Sequence, residues 1–231
     1  MSELVITSRF RGPPDSGNGG YVCGCVARAI DGPARVRLHR PPPLERALQL
    51  ERADGGARLL EGDGLVATGA PASLDVALPA IPDLERAREA SRGYIGLDEQ
   101  SHPFAGCFVC GPARAPGDGL RIFAGPIGDG IVAAPFEPSP DLLDEEGRLR
   151  PEIVWSALDC PGYFAIVGAR MVPMLLGELA AEIRAPIGAG PHVVVGWSLG
   201  IEGRKARCGT ALATSEGRVL AIALATWIRL A

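Results

Sequence analysis

The stretch Tyr21-Val22-Cys23-Gly24-Cys25-Val26-Ala27-Arg28-Ala29-Ile30 decides how this chain is read. Wound as a helix it is apolar on nearly every side, so the fold must enclose it. A turn-rich segment, residues 12–20, comes before it and offers Ser16 or Asn18 as a cap. Asp31-Gly32-Pro33 stops it. A short buried strand is the other reading, since the run holds two cysteines and Gly24. Strand signals surround it at residues 4–10, 36–38, 44–51, 57–60 and 65–76. Asp54-Gly55-Gly56 and Gly62-Asp63-Gly64 supply hairpin turns between them.

The same order then recurs. Strand signals at residues 120–123 and 131–136 lead through a polar loop, 137–150, into Pro151-Glu152-Ile153-Val154-Trp155-Ser156-Ala157-Leu158-Asp159. Proline in the first turn suits a helix start. Pro161-Gly162 is expected to kink the helix before the apolar residues 163–170. Strands are expected at 177–185, 193–199, 205–214 and 219–230. Leu38-His39-Arg40-Pro41 matches Ile183-Arg184-Ala185-Pro186, and Asn18-Gly19-Gly20 stands where Arg150-Pro151-Glu152 stands. The pattern predicts an internal duplication of an α+β unit. The repeats span 1–82 and 120–231, and a linker at 83–119 carries a Cys-x-x-Cys-Gly turn.

Composition narrows the class. The chain has 231 residues, 47% apolar and 22% charged, with a net charge of −4, so a packed core is expected and disorder is not. No block of basic residues suggests a nucleic-acid partner. The apolar runs are shorter than the roughly 18 residues a membrane span needs, and the first residues lack a secretory pattern. Six cysteines without an export signal point to reduced thiols and a cytoplasmic setting.

A strand, an enclosed apolar helix and a run of antiparallel strands, twice over, resembles the hotdog fold. The chain as a whole is similar to double-hotdog acyl-CoA thioesterases. Cys107-Phe108-Val109-Cys110-Gly111-Pro112 with Gly119-Leu120-Arg121-Ile122-Phe123 resembles a segment of phenylacetate-pathway-type thioesterases, with Arg114 to Asp118 replacing its usual asparagine. Leu179 to Pro186 resembles the strand after the helix in the same family. The resemblance implies two tandem hotdog repeats, each an antiparallel sheet wrapped around a central helix. It also implies an acyl-CoA or related thioester as substrate, no metal or redox cofactor, and a homo-oligomer as one option.

In single-hotdog relatives the helix begins His-Gly-Gly and carries an acid about two turns later. Helix N-terminal amides hold the developing oxyanion, and the carboxylate acts as general base or nucleophile. Nine residues after Asn18 stands Ala27, and nine after Arg150 stands Asp159. The first repeat therefore keeps the glycines and the second keeps the acid. One composite site is expected, with Asp159, Asn18 and Gly20 catalytic. Gly20 or Tyr21 would supply the N–H, and Asn18 would replace the usual histidine. Gly19, Tyr21, Trp155 and Tyr163 would touch substrate, and the pocket would lie near Val22, Trp155 and Tyr163. Arg204 and Lys205, with Arg207, would meet the CoA phosphates. A Gln that relatives of the type II class keep near the last strand is replaced, with Ala225 or Thr226 in its place and Trp227 next.

Plainer readings stand beside these. Gly19-Gly20 serves equally as a turn, Asp159 as a structural acceptor, Trp155 as core, and the 204–207 cluster as a solvated hairpin. Cys107 and Cys110, with His102 five residues earlier, have the spacing of a zinc knuckle. That would require Cys160 or Cys208 to come near; otherwise the segment is a turn with two free thiols, and Cys160 is packing. His39 and His192 read as surface residues. A hydratase on this fold would need a histidine near Asp159 in sequence, and none is there. A ligand-binding protein without turnover is the rival of a different class.

Overall fold

A computed structural model describes residues 2–53 and 55–230. Each apolar-rich repeat needs a partner surface for its exposed sheet edge, and the strands meet that need by joining into one antiparallel sheet of eleven. In chain order the elements are β1 (Ser2–Val5), α1 (Gly19–Ala27), β2 (Ala34–Leu38), β3 (Ala47–Ala53), β4 (Gly56–Glu61), β5 (Gly64–Pro71) and α2 (Leu84–Arg92). The second half follows with β6 (Gly125–Gly128), β7 (Ile131–Phe136), α3 (Pro151–Ala157), α4 (Cys160–Val167), β8 (Met174–Ile183), β9 (His192–Glu202), β10 (Lys205–Thr214) and β11 (Val219–Arg229).

The sheet runs β1-β3-β4-β5-β2-β8-β11-β10-β9-β7-β6. Substituting β7, β8, β9, β10 and β11 for β1, β2, β3, β4 and β5 gives the same order in each half, with β6 added at the far edge. The halves meet where β2 pairs antiparallel with β8, Ala34 to Arg37 against Ala181 to Glu178. This is a double hotdog, α+β, with α1, α3 and α4 inside the curve of the sheet. Every residue from Gly20 to Ala27 is buried. Asn18 caps α1, its Oδ1 accepting the Tyr21 N–H at 2.9 Å.

α1 and α3 approach at glycines. A Cβ at Gly20 would lie 2.6 Å from Asp159 Cβ, and one at Gly24 would lie 2.5 Å from Glu152 Cα. Residues three or four apart share a helix face, so this pair of glycines makes the crossing. Pro161 ends α3 as expected of a proline, but at its own i−4 residue. It cannot donate to the Ala157 carbonyl, so α3 stops there and α4 restarts at Cys160.

The 83–119 segment is more than a tether. It holds α2, capped by Asp83, whose Oδ1 accepts the Arg86 N–H at 2.7 Å. Ala87 and Ala90 of α2 pack with Ala133, Val193, Val195, Trp197, Ala211 and Ile222. Those sheet residues alternate with inward ones such as Ala134, Val194 and Leu212, so α2 covers the outer face of the second half-sheet. Burial on both faces explains the continuous apolar run Val193-Val194-Val195.

Other expectations are corrected. Residues 120–123 are not a strand: Arg121 adopts φ 51°, which an extended ladder does not accommodate, and β6 begins at Gly125. The first strand ends at Val5 and gives way to a short 3₁₀ turn at Ser8–Phe10. His192 is buried beside Phe136 instead of lying on the surface, whereas His39 is exposed. No helix among the described residues is long and apolar enough to cross a membrane.

Candidate functional site

Asp159 sits in the break between α3 and α4, at the N-cap position of α4, yet its side chain does not cap that helix. The close glycine crossing brings it to the start of α1 instead. Its Oδ2 accepts the Asn18 Nδ2–H at 2.9 Å and the Gly20 N–H at 3.0 Å. The Asn18 amide is thereby fixed at both ends, Oδ1 on the Tyr21 N–H and Nδ2 on the carboxylate. Asp159 Oδ1 is buried with no protein partner. Burial pushes the Asp159 carboxyl up to about 7, against the opposing pull of the Gly20 hydrogen bond.

A cavity of about 260 Å³ opens at this carboxylate. Asn18, Gly19 and Asp159 line its polar end, and Leu38, Leu176 and Trp227 line its apolar side. The structure thus brings Asn18, Gly19, Gly20 and Asp159 together across the two repeats. It separates others. Gly20 and Tyr21 both spend their N–H groups, on Asp159 Oδ2 and Asn18 Oδ1, so neither is free to polarise a carbonyl. Gly19 N–H, first in the helix, has no intrahelical acceptor, and Gly19 lines the cavity.

Trp155 and Val22 are buried between the helices and do not line the cavity. Tyr21 stacks on Phe10 with ring centroids 4.0 Å apart, so it too belongs to the core. Tyr163 does line the cavity, but its hydroxyl donates to the Val172 carbonyl at 2.9 Å, which leaves the ring as its contribution. Arg204 is exposed and donates to the Arg229 carbonyl at 3.1 Å. Lys205 and Arg207 instead join Arg37 in a depression on the outer side of the sheet. That depression shares Leu38, Gly177 and Ile228 with the inner cavity.

Several residues that line the cavity were not expected to do so. Leu176 and Trp227 alternate with outward residues on β8 and β11, and that alternation was their signal. Cys107, singled out for its spacing to Cys110, was not expected beside Asn18. Asn18 Nδ2 lies 3.9 Å from its Sγ, and Cys160 Sγ lies 3.8 Å from it. The thiols of Cys110 and Cys160 hold Cys107 below the usual thiol range by donating to it. Cys160 therefore faces this cluster and the cavity instead of serving only as packing. Cys208 stays apart, its sulfur 2.3 Å from where a Cβ on Gly162 would stand.

Solved structures share this architecture. A thioesterase candidate from Novosphingobium aromaticivorans superposes with a TM-score of 0.66 at 11% identity, over 99% of this chain and 95% of that one. A hot dog fold protein of unknown function from Alicyclobacillus acidocaldarius gives 0.65 at 11%, over 99% and 92%. The TesB protein of Mycobacterium avium subspecies paratuberculosis gives 0.63 at 9%, over 99% and 92%. No protein-family profile and no curated protein sequence matches the chain. At these identities the likeness defines the class by fold: a double-hotdog protein.

Proposed function

We propose that the chain hydrolyses a thioester, with an acyl-CoA as substrate. The observation that carries this reading is the Asp159 carboxylate. One oxygen is anchored by Asn18 and Gly20, the other is buried without a protein partner, and the residue lines a cavity. A carboxylate so held can take a proton from water while that water attacks a carbonyl carbon. The Gly19 N–H, at the positive end of α1, would stabilise the oxyanion that forms. Collapse of the intermediate breaks the C–S bond, and Asp159 returns its proton to the departing thiolate. Asn18 acts here as a positioning residue. The names of two of the solved likenesses, a thioesterase candidate and TesB, support the same reaction class.

A screen with short, medium and aromatic acyl-CoAs tests the proposal. Hydrolysis is expected, falling at least about 100-fold in Asp159→Asn, the loss typical of removing a general base. Unchanged hydrolysis in the variant would overturn the mechanism. The rival reading, a binder without turnover, draws on one feature: two of the three first amides of α1 are already spent. Acyl-CoA binding without hydrolysis in either protein would establish it instead.

A further inference from the structure

The Cys107, Cys110 and Cys160 sulfurs lie within 4.8 Å of one another, all buried, and all three residues line the cavity. None is in a disulfide. The separation of Cys107 Sγ and Cys160 Sγ is 3.8 Å. Zinc–sulfur bonds of about 2.3 Å at the tetrahedral angle place two sulfurs about 3.8 Å apart. A disulfide would require about 2.05 Å.

The backbone around the sulfurs is held from several directions. Gly111 N–H donates to the Cys107 carbonyl at 2.9 Å. A Cβ at Gly111 would lie 2.5 Å from that oxygen, so only glycine closes the turn. Phe108 N–H donates to the Arg11 carbonyl, and Ile122 N–H to that of Val109. The third sulfur enters from the first residue of α4. Asn18 Nδ2 faces the Cys107 sulfur, as outer donors face metal-bound thiolates.

His102, the partner that spacing suggested, is engaged elsewhere. Its Nδ1 accepts the Phe104 N–H, and its Nε2 meets the Tyr94 hydroxyl at 3.0 Å. That hydroxyl donates to the Cys110 carbonyl at 2.9 Å, so His102 braces the turn and offers no lone pair. Three sulfurs converge, and their residues line the same cavity as Asp159.

We propose that Cys107, Cys110 and Cys160 form a three-thiolate site for a zinc-type divalent ion, with its fourth position open to the cavity. Thiolates select zinc, copper(I) or iron–sulfur centres over hard cations, and an open fourth position is the pattern of zinc sites that meet a ligand. This site does not depend on the thioester reading. It departs from the expectation of a metal-free protein.

The test is zinc and cobalt(II) titration of the reduced full chain, with elemental analysis. One zinc per chain is expected, with sulfur-to-cobalt charge-transfer absorption of a strength that corresponds to three thiolates. Cys107→Ser, Cys110→Ser and Cys160→Ser should each weaken zinc binding more than about 100-fold. Cys208→Ser, buried but outside the cluster, should bind as the parent does. If the serine variants do not fold, the thiolate count from the cobalt spectrum of the parent chain decides. No binding by the folded parent, a count of two or fewer, or unweakened binding by Cys160→Ser overturns the proposal.

Discussion

Asn18 does two jobs with one amide, and a substitution can separate them. Its oxygen caps α1 and its nitrogen holds Asp159. Serine also caps helices well but has no second donor in that position. Asn18→Ser is therefore expected to keep the unfolding midpoint of the parent. It should lower kcat about 10-fold or more, the worth of a hydrogen bond to a charged group. Steady-state kinetics beside a urea titration check this, and a loss of stability matching the loss of rate would make Asn18 merely structural. At this scale Asp159 and the Asn18-Gly19-Gly20 turn were legible because each repeat lacks what the other keeps. Cys107 was not legible as their neighbour. Its contact with Asn18 spans 89 positions through irregular backbone, which has no period to follow. Gly20 was expected to offer its N–H to substrate, and the structure gives it other contacts. Its missing side chain lets Asp159 approach, and its N–H anchors the carboxylate.

Among the elements, the α1–α3 crossing depends on the absence of two methyl groups. Alanine normally strengthens a helix by about 1 kcal/mol over glycine. At Gly24 the added Cβ meets backbone, Glu152 Cα at 2.5 Å, which cannot swing aside. Gly24→Ala is thus expected to destabilise the fold by about 1–3 kcal/mol in chemical denaturation, and a gain in stability would refute the crossing as described. At the head of β9, burial lowers the pKa of His192 below that of an exposed histidine, although Glu137 and Glu216 face it and pull the other way. The folded state then binds fewer protons than the unfolded one. Stability from this group is intact above about pH 6.5 and is lost as pH falls through that unfolded value. His192→Gln should lose less stability than the parent between about pH 7.5 and 5.5, as read from urea midpoints; equal losses would show that His192 is not the cause. Strands such as β10 and β11 could be read from their apolar runs and bounding turns, and α1 from its unbroken apolar stretch. α2 was passed over because only Ala87 and Ala90 of its nine residues are buried, too sparse an apolar stripe to stand out.

For the molecule as a whole, the duplication does more than double the sheet. The β2–β8 ladder ends at Arg37 and Glu178, while β8 continues back to Met174 along β11. The chain turns away after Leu38, and at the seam of the repeats Leu38, Gly177 and Ile228 line both the inner cavity and the outer depression. Inside lies the Asp159 cavity; outside lie Arg37, Lys205 and Arg207 with Glu178 and Glu202, one more basic group than acidic. A CoA thioester is long, with an acyl group at one end and phosphates at the other, and this seam suits such a shape. The acyl end would sit within and the phosphates would meet the basic side chains outside. Reversing both charges, Arg37→Glu with Lys205→Glu, is then expected to raise KM for an acyl-CoA about 10-fold, a change of about 1.4 kcal/mol, without altering kcat. The effect should shrink at high salt, because exposed charges are screened. An acyl-N-acetylcysteamine, which has the thioester and lacks the phosphates, should show no change in KM. An equal shift for both substrates would place the phosphates elsewhere and leave the seam of the repeats with no part in binding.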